Sequence, residues 1–248
     1  MRKPLLFIIP LIILGIAACK KLDNSGQNVT NEDAANLISN SIASSSGGLT
    51  TISSDVSLKS QTLFANNSGC GVTNVDSISH QSTVGASTTY SYKLKFTNKL
   101  TCNTSNQPDN VTSTLIFSGN YNGPKVILTN SGSTSFIIAG LTPGSSVYAI
   151  NGEYKSTGTF KVKADTTRSG TVNIDIVVKN LIITKATATT PAGITGGTAT
   201  ATISGSTAKH GAFNFDGTLV FNGSSMATLT LSGTAYSVNL LTGVIVKQ

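Results

Sequence analysis

From Ser87 to the C-terminus the chain alternates apolar and polar residues with a period of two. In Tyr90-Ser91-Tyr92-Lys93-Leu94-Lys95-Phe96-Thr97 the even positions are apolar and the odd ones polar, so an extended backbone sends one set to each face of a sheet. Leu115-Ile116-Phe117, Lys125 to Leu128, Phe136-Ile137-Ile138 and Val147-Tyr148-Ala149-Ile150 read as further short strands separated by Gly- and Asn-rich turns. Val172, Ile174, Ile176 and Val178 share a face opposite Asn173, Asp175 and Lys179, and the alternation returns in Thr198 to Ile203. Phe213, Phe215, Leu219 and Phe221 then share a face, Asn222-Gly223 offers a type I′ turn, and Leu229 and Leu231 return on the next strand. Ser232-Gly233-Thr234 turns into Tyr236, Val238 and Leu240. Strands joined by tight turns are antiparallel neighbours. The pattern therefore predicts an all-β fold, an antiparallel β-sandwich or a large curved meander sheet.

One stretch follows the helical period instead. In residues 30–42, Thr30 is placed to cap, Glu32 and Asp33 lie in the first turn, and Ala34, Leu37, Ile38 and Ile42 form an apolar stripe. This predicts one short N-terminal helix laid on the sheet and ended by Gly47-Gly48. Residues 49–66 fit neither period, since Val56, Leu58, Leu63 and Phe64 mark no face. No linker separates residues 31–248, which read as a single β-rich domain.

The N-terminus carries an address. Arg2 and Lys3 precede an apolar run from Leu5 to Ala18 that is too short to span a bilayer, which needs about 20 apolar residues. Ile16-Ala17-Ala18-Cys19 resembles the lipobox of bacterial lipoproteins, in which a peptidase cuts just before the cysteine. The resemblance implies a signal peptide over residues 1–18 and acyl chains on Cys19, which anchor the mature protein to a membrane while the rest stays in water. Residues 19–30, rich in Lys, Asn, Ser and Gly, read as the lipidated tether. Lys20-Lys21-Leu22-Asp23 resembles the surface-export signal of Bacteroidota lipoproteins, which implies an extracytoplasmic outer-membrane lipoprotein and favours the cell surface over the periplasm. Asp76-Ser77-Ile78 resembles the O-glycosylation acceptor of the same bacteria, making Ser77 a candidate modification site.

The lipid settles an odd cysteine count. With Cys19 acylated, Cys70 and Cys102 remain in an oxidising compartment, where a disulfide is expected; the rival is a catalytic cysteine with His80 as its base.

Composition narrows the function classes. The formal charge of +7 falls to +5 without Arg2 and Lys3, and apart from the adjacent Lys20-Lys21 the remaining lysines are scattered singly along strands rather than gathered on one face with aromatics, so no nucleic-acid partner is expected. Only 10 acids serve the chain, and no spacing pairs two of them as a glycosidase requires. His80 and His210 stand without neighbouring acids or cysteines, and no zinc, phosphate-loop or nucleophile-elbow motif occurs, so no metal or cofactor is expected and no enzymatic activity is indicated. Sugar-binding domains stack aromatics on sugar faces; here Trp is absent and Tyr90, Tyr92, Phe213 and Phe215 fall on core faces, while Tyr121 and Tyr154 sit in turn-like surroundings and read as better exposed. The expectation is a lipid-anchored envelope protein, a structural or binding module for a glycan or another envelope protein. The alternatives are a polysaccharide hydrolase or lyase, and a carrier of an apolar molecule between sheet and helix. Replacing Cys19 by Ala is expected to release the protein from the membrane pellet and remove the acyl mass, read by fractionation and intact mass spectrometry.

Overall fold

The computed structural model describes residues 29–66, 69–187 and 192–248. The signal peptide expected over residues 1–18, the expected lipidation site Cys19 and most of the expected tether lie outside the described residues. The elements are α1 (Asn31–Ile42), a short 3-10 turn (Ser44–Ser46), α2 (Leu49–Ala65), then β1 (Thr73–Gln81), β2 (Thr89–Cys102), β3 (Pro108–Asn122), β4 (Val126–Ala139), β5 (Val147–Val162), β6 (Ser169–Thr184), β7 (Gly193–Thr207), β8 (Gly211–Gly223), β9 (Met226–Leu231), β10 (Thr234–Asn239) and β11 (Ile245–Lys247).

All eleven strands form one open sheet in chain order, β1 to β11, each paired antiparallel with the next. Of the two architectures the sequence allows, the molecule is the meander. Its strands are longer than the apolar runs suggested: Leu115–Phe117 is the middle of a 15-residue β3, and Phe136–Ile138 the end of a 14-residue β4. The Thr129 to Ser135 segment, which reads as turn by composition, is regular strand, because small hydroxyl side chains fit either face of a pleated sheet. The hairpin expected at Asn222-Gly223 turns two residues later. Ser224 and Ser225 both take the positive φ that a type I′ turn demands, 50° and 59°, and Asn222 Nδ2 instead donates to Thr228 Oγ1 across the pair. Ser232 and Gly233 make the next hairpin turn as the sequence predicts, with φ of 46° and 79°.

One face of the sheet is buried along most of its length. Among the described residues only two helices cover it, and the sheet curls. α1 meets β7, β9, β10 and β11 while α2 meets β2, β3 and β5, and the rings of Phe160 on β5 and Phe213 on β8 touch edge to face across three strand intervals, 5.8 Å between centroids. A single apolar core results, with Phe96, Phe136, Leu37, Ile38 and Ile42 among its most deeply buried side chains.

α1 starts as the sequence predicts but ends at Ile42 with Ala43 as its C-cap, short of Gly47-Gly48; Gly47, at φ 68°, closes the following 3-10 turn instead. Thr30 accepts from the backbone N–H of Asp33, and the Asp33 carboxylate accepts from the Thr30 N–H at 3.0 Å, closing a capping box. Its surroundings differ from expectation: not only the apolar stripe but Asp33, Asn36, Ser39, Asn40 and Ser41 are buried, so the helix is wrapped rather than laid on a surface. Asp33 is bridged by Arg168 from the β5–β6 turn.

α2 is the second helix, unassigned from the sequence. Its buried positions are Leu49, Ile52, Ser53, Val56, Ser57, Ser60 and Leu63, a helical stripe in which three of seven members are serine. Hydrophobicity alone could not reveal it. Two contacts tie α2 to the edge strand β1: Lys59 Nζ lies 2.6 Å from Asp76 Oδ2, and Asp55 takes a 2.6 Å bond from the Tyr92 hydroxyl with His80 Nε2 at 3.2 Å.

Cys70 and Cys102 are disulfide-bonded, with Cα atoms 5.6 Å apart and a sequence separation of 32. The bond joins the segment before β1 to the end of β2, fixing an edge strand that pairs on one side only. Converting both cysteines to serine is expected to cost about 3 kcal/mol of unfolding free energy in denaturant melts, with the loss of amide protection greatest in β1.

Candidate functional site

The other face of the sheet is solvent-facing and polar. The register sets its side chains in rows across the strands: Ser79, Lys93, Ser118, Ser131 and Thr157 stand side by side on β1 to β5, and the next row runs Ser77, Lys95, Ile116, Ser133, Lys155 and Asp175. Neighbours in a row are about 4.8 Å apart, and successive rows about 7 Å along the strand.

This face is not flat. A concavity of about 810 Å³ opens over β1 to β5, lined by Ser91, Lys93, Ser118, Asn120, Thr129, Ser131, Thr157 and Thr159. A second of about 410 Å³ continues it along β3 and β4 between Lys95 and Thr97 of β2 and Glu153 and Lys155 of β5. A third of about 330 Å³ shares Ser133, Lys155 and Thr157 with its neighbours and reaches Asn173, Asp175, Thr202 and Ser204. Together they make an open groove following β3 and β4, with a side branch toward β7.

Two glycines permit this shape. A Cβ on Gly158 would lie 1.9 Å from the Thr129 carbonyl oxygen, and one on Gly132 would lie 1.9 Å from that of Lys155. Adjacent strands approach at these points more closely than a side chain allows.

Charge concentrates where the second and third concavities meet. Lys155 Nζ is 2.7 Å from Glu153 Oε1 and 3.7 Å from Asp175 Oδ2, so one ammonium bridges two carboxylates from adjacent strands. Burial pushes the Asp175 carboxyl above the usual carboxylate range, and the neighbouring Glu153 charge pushes it the same way against the pull of Lys155. The hydrogen bond that Lys155 donates to Glu153 holds its ammonium pKa above the ordinary value. Beside them Thr202 Oγ1 donates to Asp216 Oδ1 at 3.0 Å.

The residues singled out from the sequence fall in several places. Ser77 is exposed on β1, opposite Lys95, and its backbone N–H donates to Asp76 Oδ1 at 2.7 Å. The bond from Lys59 and that backbone donor hold the Asp76 carboxyl below its usual range. With Cys70 and Cys102 bonded, neither is a thiol for His80 to activate. His80 does have an acidic neighbour, Asp55, contrary to the sequence reading, and its ring stacks on Tyr92 at 5.1 Å. Tyr121 and Tyr154, read as better exposed, are both buried. Counted by twos from Phe117 through Gly119, Tyr121 falls on the inner face, and Tyr154 stacks on Phe117 at 5.1 Å with its hydroxyl pushed up to about 12 by burial. The Glu153–Asp175 pair was invisible because nothing in the spacing joins them; it follows only from folding β5 onto β6 with Lys155 opposite Asp175. Among the described residues no three His, Cys, Asp or Glu side chains gather as metal ligands.

Compared with protein-family models, curated proteins and solved structures, the chain matches none.

A carboxyl whose folded pKa is raised contributes stability that is full below its unfolded value near 3.8 and is lost as pH rises through the folded value. Asp175→Asn is therefore expected to flatten that decline in melts taken just above pH 3.8, and Glu153→Gln to bring the Asp175 titration down, read by carboxyl ¹³C NMR.

Proposed function

We propose that the protein is a lipid-anchored module of the cell envelope, held at the outer membrane through Cys19, that binds a glycan chain in its outer-face groove. The observation that carries this reading is the groove itself: an open concavity lined by the hydroxyls and amides of Ser91, Ser118, Asn120, Thr129, Ser131 and Thr157. The backbone donors and acceptors of this floor are engaged in the sheet ladder, which leaves side-chain hydroxyls to exchange hydrogen bonds with a ligand rich in hydroxyls of its own. Open ends admit a polymer, where a closed pocket would admit only a small molecule.

The hydrolase reading would rest on Glu153 and Asp175. Both are committed to one ammonium ion on neighbouring strands, which suits holding a ligand better than flanking a glycosidic bond. The carrier reading needs space between helices and sheet. Beside Tyr92, Phe117 and Tyr154 that space is a void of about 10 Å³, room for one water at most. A larger hollow of about 210 Å³ lies between the start of α2 and β6–β7, but Ser44, Thr50, Thr51, Ser54 and Asp55 line its helix side, which suits an apolar cargo poorly.

Ser131→Trp and Thr157→Trp are expected to fill the groove and abolish retention in affinity electrophoresis through the glycan it binds. Thr200→Trp, on the same face outside the groove, is expected to leave retention unchanged. Equal retention of all three variants would overturn the assignment.

A further inference from the structure

We infer that the groove selects an acidic glycan, a polymer whose carboxylate or sulfate groups lie against the β2 side while its hydroxyls meet the Ser and Thr floor; this rests on the groove being the glycan site. The inference comes from the distribution of charge across the groove. Lys93, Lys95 and Lys99 all project from the outer face of β2 and are exposed. Their neighbours in register are Ser79, Ser77 and Thr73 on β1 and Ser118, Ile116 and Thr112 on β3, every one uncharged. Among the described residues none of the three lysines has an acidic partner. Asp76, the acid on β1, belongs to the other face and is held by Lys59.

Lys59, Lys125, Lys155 and Arg168 are each paired with a carboxylate. Other described lysines, Lys161 and Lys179 among them, also lack an acidic partner, but they line none of the three concavities. Lys93 lines the first concavity and Lys95 the second, so two free ammoniums flank one continuous groove, with Lys99 extending their line. From Lys93 to Lys99 the strand advances roughly 20 Å, the reach of several sugar units rather than of a single anion. The opposite side carries Glu153 and Asp175, of which only part is neutralised by Lys155. An acidic polymer is drawn to β2 and repelled from β6, which fixes how it lies across the groove. A neutral polymer gains nothing from this asymmetry.

The test uses the full mature lipoprotein in detergent, with polygalacturonate as the carboxylate probe, a sulfated galactan as the sulfate probe, dextran as the neutral polymer and polyglutamate as a polyanion without sugar. At low salt one or both acidic glycans are expected to be retained at least tenfold more strongly than dextran. The Lys93→Gln/Lys95→Gln variant is expected to lose at least tenfold in affinity and to show a shallower dependence on salt, with an unchanged melting temperature. A control that removes the same charge elsewhere, Lys209→Gln/Lys247→Gln, is expected to bind as the parent does. Retention of the carboxylate polymer alone or the sulfated one alone assigns the acidic group. Dextran retained as strongly as both acidic glycans would overturn the charge inference while leaving the groove as a glycan site. Retention of no glycan would overturn both, and polyglutamate bound as well as the acidic glycans, or equal loss in the control variant, would reduce the effect to net charge and overturn the selection proposed here.

Discussion

A sheet that is apolar along one face of its long strands has to press that face against something, and among the described residues only 12 residues of α1 and 17 of α2 serve the purpose. Curling is the consequence. As the sheet wraps inward, α1 ceases to have an outer side, and Asn36, Ser39, Asn40 and Ser41, which would face water on a surface helix, are enclosed. They remain affordable because each donor finds a carbonyl: Asn36 Nδ2 donates to Glu32, Asn40 Nδ2 to Asn36, Ser41 Oγ to Leu37, and Ser39 Oγ reaches across to Gly243 at 2.9 Å. The last of these fastens the helix to the turn before β11, the far end of the meander. Asp33 likewise needs Arg168, since a carboxylate buried without its cation would cost several kcal/mol.

α2 is held by a different balance. The Ser53, Ser57 and Ser60 hydroxyls are buried without a partner, and so are Ser113 on β3 and Thr134 on β4. A stripe in which serine takes three of seven buried places buries less apolar surface than Leu or Ile would, so the face of α2 adds less cohesion than its burial suggests. Contacts at its flank compensate. Asp55 receives Tyr92 and meets His80, and Lys59 meets Asp76, all at β1 or the adjoining β2. The Cys70–Cys102 bond grips the same pair of strands from their end. Helix, edge strand and disulfide therefore form one mechanical unit, and a charged, helix-flanked β1 is also a poor template for a foreign strand. At the opposite edge β11 is only three residues long, which limits pairing there by length.

What the sequence revealed follows the physical signal each feature leaves. Period-two alternation names the inner residues of β2, β6, β8 and β10 one by one, because burial on one face is a strictly local constraint. Thr30 and Asp33 announce the start of α1 through side chains that bond within three residues. Cys70 and Cys102 are paired by elimination. α2 escapes because serine occupies positions that packing made interior, and strand length escapes because Ser, Thr and Gly serve turns and pleated surfaces alike. The groove is a property of register. Lys93 is visible as a polar strand residue, yet its position beside Ser118, Ser131 and Thr157 depends on three pairings that no local pattern encodes.

The same scarcity of side-chain bulk that hid the strands gives the outer face its form. Thr and Ser on the solvent side, with Gly132 and Gly158 where strands press closest, leave a surface that can be hollowed without breaking the ladder of backbone hydrogen bonds. Large aromatic side chains went inward instead, where Phe117, Tyr154, Phe160 and Phe213 fill the space that two short helices leave. A sugar ring on this protein would therefore meet hydroxyls rather than aromatic planes, and orientation would have to come from charge. With only 11% of residues charged, three free lysines on β2 and a bridged acid pair across β5 and β6 are enough to make the two sides of the groove unlike. The constraint that made the sheet curl around α1 thus reaches the outer face as well: it took the aromatics for the core and left that face with hydroxyls in register and a few unpaired ammonium groups.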